Sequence, residues 1–216
     1  PVTVQAGSLQ LGAEGVTGKL GSSEISLADE SSLVVEIADD LDLGATISGQ
    51  GSVEKSGGGR LELTVDNNYE GGTGVLGGTL ILGHSGALGS GAVTVSSGAE
   101  LDLAGNDIDN ALELAGQGID ANDDDIGDTG ALINSASGSA VTVTGDVQLQ
   151  PGTAIQAAGD MTFTGAFSGL EPVLVPTVDR DGNDLNPPPA PPTAVATSQA
   201  FFFRGSGDVT INSDWE

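Results

Sequence analysis

The chain of 216 residues contains no cysteine, so no disulfide framework holds it together. A chain without covalent loops can be threaded unfolded through a narrow pore, although lack of cysteine does not by itself assign a compartment. Aromatic residues are nearly missing, with 1 Trp, 1 Tyr and 5 Phe, which leaves Val, Ile, Leu and Ala to fill a core. Cations are scarce as well: 5 Lys and Arg stand against 31 Asp and Glu, for a net charge of −26. Such a surface repels nucleic acid and anionic membranes, and both are excluded as partners. No apolar run approaches the roughly 18 residues of a membrane helix, so this segment inserts in no bilayer as a helix. No basic-then-apolar leader is visible either, so any export signal lies outside the segment. The chain opens on Pro1 and closes on Trp215-Glu216, and is read as an excised stretch of a longer array. Helical amphipathic spacing is hard to find anywhere.

What the chain does have is glycine, 35 residues of it, where average usage of about 7% would give less than half that number. Extended apolar segments such as Leu80-Ile81-Leu82, Ala92-Val93-Thr94-Val95 and Ala140-Val141-Thr142-Val143-Thr144 alternate with these glycines. Short β-branched runs joined by Gly-rich turns predict an all-β fold.

The chain also repeats itself. Leu9 in Gly7-Ser8-Leu9-Gln10-Leu11-Gly12 maps to Leu80 in Gly78-Thr79-Leu80-Ile81-Leu82-Gly83, an offset of 71. Ile25-Ser26-Leu27 maps to Val93-Thr94-Val95 and Leu33-Val34-Val35 to Leu101-Asp102-Leu103 at 68, and Gly49-Gln50-Gly51 to Gly116-Gln117-Gly118 at 67. Lys55 to Leu63 returns as Phe203 to Ile211 at 148. Each unit holds several strands, so the expected architecture is a right-handed, single-stranded parallel β-helix, with alternate residues such as Leu61 and Leu63 pointing into one column. At about 20 to 25 residues per coil this predicts nine or ten rungs. A β-sandwich is the competing arrangement; long-period repetition and the shortage of core aromatics argue against it. The units are placed at about 1–48, 49–118, 119–169 and 200–216, with the proline-rich 170–199 as a protruding loop, because proline cannot donate to a ladder.

Between Gly49 and Leu103 the chain resembles the autotransporter-associated β-strand repeat, also called the passenger-associated transport repeat. The resemblance rests on Gly51 to Leu63, on Asn68-Tyr69-Glu70-Gly71-Gly72-Thr73, on Gly78 to Gly83 and on Ala87 to Val95. Asn68 stands where that repeat usually has Thr, Glu70 replaces a hydroxyl residue, and Gly74 replaces a second Thr. A looser likeness covers Gly130 to Gly169 through Gly130-Ala131-Leu132-Ile133-Asn134. The resemblance implies a pectin-lyase-like β-helix and a non-catalytic stalk or adhesin segment in a type V secretion passenger. It implies an extracellular position on the bacterial outer-membrane surface and a host or cell-surface ligand. One alternative is a subunit of an extracellular fibre, in which copies stack end to end on open rungs. A second is a polysaccharide-active β-helix enzyme.

Two acidic runs are candidate calcium ligands: Asp120, Asn122, Asp123, Asp124, Asp125 and Asp128, and Asp179, Asp181, Asn183 and Asp184. Calcium takes six to eight oxygens, and alternating Asp and Asn in a turn can converge them. Neither run matches an EF-hand loop, and a solvated acidic coat is the preferred reading, with no cofactor other than calcium in question. His84 is expected in an exposed turn, since Leu88-Gly89-Ser90-Gly91-Ala92 is no nucleophile elbow. Gly116-Gln117-Gly118 lacks the βαβ context of a dinucleotide site. Tyr69 is placed in the repeat turn, and Phe201-Phe202-Phe203 at a cap or at the base of the proline-rich loop.

Overall fold

The computed structural model describes residues 1–13, 20, 23–119, 129–169 and 202–212. Their strands are two to six residues long, pair only in parallel, and are accompanied by no helix among the described residues. Parallel neighbours cannot be joined by a hairpin, so the chain must travel around the molecule before it stacks on itself. It does so along three hydrogen-bonded faces. One face has eight strands, running from Gly7–Leu11 to Phe167–Ser168. A second has seven, from Leu41–Leu43 to Phe202–Gly205. The third is split into four strands, Val2–Val4 to Asn68–Tyr69, and three more, Val141–Val143 to Val209–Ile211.

Register keeps the inward side apolar. On the seven-stranded face Leu41, Leu61, Leu80, Leu101, Leu132, Ile155 and Phe203 stand one above another. Leu61 through Ile155 in that column are fully buried. Each buried aliphatic side chain is worth about 1.5–3 kcal/mol relative to exposure, and none is covered without the coils above and below it. The fold is thus a parallel β-solenoid with one continuous core.

The regular coil is 20 residues long: Leu33, Val53, Thr73 and Val93 stack at that interval. Eight strands on the longest face make about seven turns, fewer than the nine or ten rungs expected. Length is spent elsewhere. Leu112 pairs with Val147, a coil of 35 residues, and Ile155 pairs with Phe203, a coil of 48. At about 4.8 Å per step the rod is roughly 34 Å long.

The 20-residue period also explains the sequence offsets of 67 to 71. Leu9 lies on the eight-stranded face and Leu80 on the seven-stranded face; Ile25 lies on the split face and Val93 on the eight-stranded one. The offset is therefore three coils plus an advance to the next face. Corners require glycine where coils touch: at Gly89, φ is 61° and a Cβ would overlap the Tyr69 carbonyl below.

The split face is closed by side chains where strands are missing. Asn67 is buried; its Oδ1 accepts from the Ile47 amide at 2.7 Å, and its Nδ2 donates to the Ala87 carbonyl at 2.7 Å. The carboxamide thus stands in for a peptide group between the coil below and the coil above. Asn110 donates to the carbonyls of Gly89 and Gly91 in the same manner, and an isolated bridge from Ile108 to Val143 leads into the second set of strands.

Candidate functional site

The inward columns contain polar side chains where alternation calls for apolar ones, Lys55, Tyr69 and Thr73 among them. Lys55 sits between Val35 and Val75 and is fully buried. Its Nζ donates to the carbonyls of Ser56, Gly57 and Gly77 at 2.9, 2.8 and 3.0 Å. Burial pushes its pKa down from 10.5 to about 8. Tyr69, expected in a turn, lies instead in a strand and is fully buried, its hydroxyl 2.6 Å from that of Thr73. Burial raises its pKa to about 12, against the smaller opposing effect of the Thr73 hydrogen bond. These groups are interior and contact no solvent, so they are structural.

Outside, one patch of the seven-stranded face is covered. Glu100 and Asp102 point outward from Ala99–Asp102 yet are 5% exposed. Thr79 donates to Glu100 Oε1 at 3.2 Å, while Glu100 Oε2 has no partner. Burial raises the Glu100 pKa, the Thr129 and Thr79 hydroxyls oppose that, and the nearby Asp102 charge adds to it. Arg204 donates to the Thr129 carbonyl and to Gln117 Oε1, fastening the feet of the long sixth coil to a strand two coils above.

The acidic calcium candidates lie elsewhere. Asp120, Asn122, Asp123, Asp124, Asp125 and Asp128, like Asp179, Asp181, Asn183 and Asp184, fall outside the described residues, as does 170–199. Among the described residues no group of three His, Asp or Glu side chains could hold a metal ion. Both segments fall at the same corner of the fold, in sequence between Leu112–Leu114 and Leu132–Asn134 and between Phe167–Ser168 and Phe202–Gly205, each time where the chain passes from the eight-stranded to the seven-stranded face. His84 is exposed in a turn, its Nδ1 accepting from the Gly86 amide at 3.0 Å. Phe203 belongs to the leucine column rather than to a ligand box.

The other corner of the eight-stranded face, where the chain arrives from the split face, carries a furrow, which sequence reasoning did not single out. Two shallow cavities of about 330 and 370 Å3 share Ser52, Glu54 and Gly71, and so form one groove along the rod axis. Its floor is glycine, including Gly71, Gly72 and Gly74. Asp29, Glu30, Glu54 and Glu70 supply carboxylates. Leu76 borders one end and is 51% exposed, the one large hydrophobic side chain exposed to this degree among the described residues. The described ion pairs join Arg60 to Asp42 and to Glu62, away from the furrow. Chemically, the groove offers negative charge, hydroxyl groups, backbone polarity and one apolar contact.

Three parallel faces wound about an aliphatic column define this protein as a parallel β-solenoid. Over 116 residues it is 35% identical to the Adhesin BmaC autotransporter of Brucella suis biovar 1 (strain 1330). The match takes in 53% of this chain and 3% of that protein, so the chain spans a small fraction of the relative's length. No family model matches the chain, and no solved structure matches it.

Proposed function

We propose that this chain is a non-catalytic stalk segment of the passenger of an autotransporter-type bacterial adhesin, displayed on the cell surface. The observation that carries the reading is the pairing of a parallel solenoid with sequence identity to an autotransporter adhesin. The physics agrees with export. A cysteine-free chain crosses a pore as an extended strand, and each new 20-residue coil then finds its template in the one before it. Burial of fresh leucine and valine on every coil makes the outward step favourable. A rigid rod with a polar exterior holds binding regions away from the cell.

The test is surface labelling. Antibodies against this segment are applied to intact cells that make the full-length protein, before and after external protease. Labelling of intact cells that protease removes is the expected result. Labelling that appears only after permeabilisation would overturn the proposal.

A further inference from the structure

The acidic furrow is lined in part by residues that the packing of the coils does not demand. Gly71 and Gly72 are required, since a Cβ on either would overlap the backbone of an adjacent coil. Gly74 is different. It has no positive φ, and a Cβ there would meet Glu54 Cγ at 3.7 Å and Leu76 Cδ2 at 3.9 Å, ordinary van der Waals contact. A threonine would fit at position 74, and its absence opens the groove. Glu70 lines the same groove. The outward column around it is otherwise filled: Val34, Glu54, Gly74 and Thr94 are stacked neighbours, and only the glycine leaves a gap.

From this we infer that the furrow is a docking groove for an extended, lysine- or arginine-rich segment of a partner protein. The inference takes its biological setting from the adhesive reading above. Charge complementarity names the occupant: four carboxylates line the groove, and none of them is in an ion pair among the described residues. Leu76 gives such a segment a place for one apolar side chain beside its cations. No aromatic ring lines either cavity, so the stacking platform that a sugar ring would use is missing. Glycine at the floor lets a backbone approach the sheet closely, which an extended peptide can exploit.

The experiment is fluorescence anisotropy of a labelled lysine-rich peptide carrying one leucine, titrated with the 216-residue chain at low and physiological salt. Three variants are compared: Glu54→Gln with Glu70→Gln, Gly74→Thr, and the control Asp40→Asn with Asp109→Asn, which removes two exposed carboxylates outside the groove. Circular dichroism melts confirm that each is folded. The expected result is binding that weakens about five- to tenfold in the Glu54→Gln, Glu70→Gln variant, the range for losing two exposed charge pairs, that weakens also in Gly74→Thr, where the added side chain fills the gap, and that hardly changes in the control. Gly74→Thr leaves the charge unchanged, so its effect reads the groove itself. Absence of binding, equal loss in the control, or unchanged binding in Gly74→Thr overturns the inference. Tighter binding of a glucosamine oligomer than of the peptide overturns it too. All of these outcomes are read on isolated protein and leave the surface-labelling result untouched.

Discussion

Lys55 carries a charge into an aliphatic column, and three carbonyl oxygens are its whole compensation. Its folded pKa of about 8 lies below the 10.5 of the free side chain, so the unfolded chain binds the proton more tightly. Stability from this residue is therefore lowest at neutral pH and rises as pH climbs from about 8 towards 10.5. The rise between pH 8 and pH 10 amounts to about 2–3 kcal/mol. Urea melts of the wild type and of Lys55→Met across that range should diverge by this amount, with the variant flat; parallel curves would show that the ammonium is already solvated. Above pH 10 the opposite trend sets in, because Tyr69 is held neutral up to about 12 and its stabilisation is lost as pH rises through that value. Neither residue was legible as an interior polar group in the sequence. In Ser52-Val53-Glu54-Lys55-Ser56 alternation puts Lys55 on the side of Val53, but a cation at that place gives no sign of being interior until the neighbouring coils bury it.

At the level of the coil, alternation made the strands readable. Leu61 and Leu63, Leu80 and Leu82, and Val93 and Val95 all point inward as spacing required. The internal repeat was real but was equated across faces, because a three-sided coil looks alike after each side as well as after each full circuit. Leu9 and Leu80 occupy equivalent places on different sheets. The number of coils was overestimated for a related reason: the segments after Leu114 and Ser168 consume length without adding a coil among the described residues. The furrow was invisible because its walls come from Asp29, Gln50, Glu70 and Ala92, which are near neighbours only after winding. Asn67 was equally hidden, a polar residue whose purpose is to replace a missing strand. Asn67→Ala would leave the Ile47 amide and the Ala87 carbonyl buried without partners, at a cost of about 3 kcal/mol. Thermal melts and hydrogen exchange at Ile47 measure it; exchange unchanged at that amide would mean that water replaces the carboxamide.

For the whole molecule the dominant field is its own charge. With −26 on a narrow rod, self-repulsion opposes the folded state. Screening shortens from about 30 Å at 0.01 M salt to about 8 Å at 0.15 M, so the melting temperature should climb over that interval and then level off. Magnesium and calcium at matched ionic strength separate screening from coordination by the Asp120–Asp128 and Asp179–Asp184 runs. An extra rise with calcium alone would show ligation, and equal curves a solvated coat.

The two long coils return to register as if nothing had been added. Leu132 settles on Leu101, and Phe203 on Ile155, whatever number of residues intervenes. Because a coil consults only its immediate neighbours, that corner tolerates grafts of very different length without repitching the column. Natural variation in such a protein is then free to gather along one edge of the rod, and a foreign epitope spliced after Leu114 or Ser168 should be carried there without unwinding the rest.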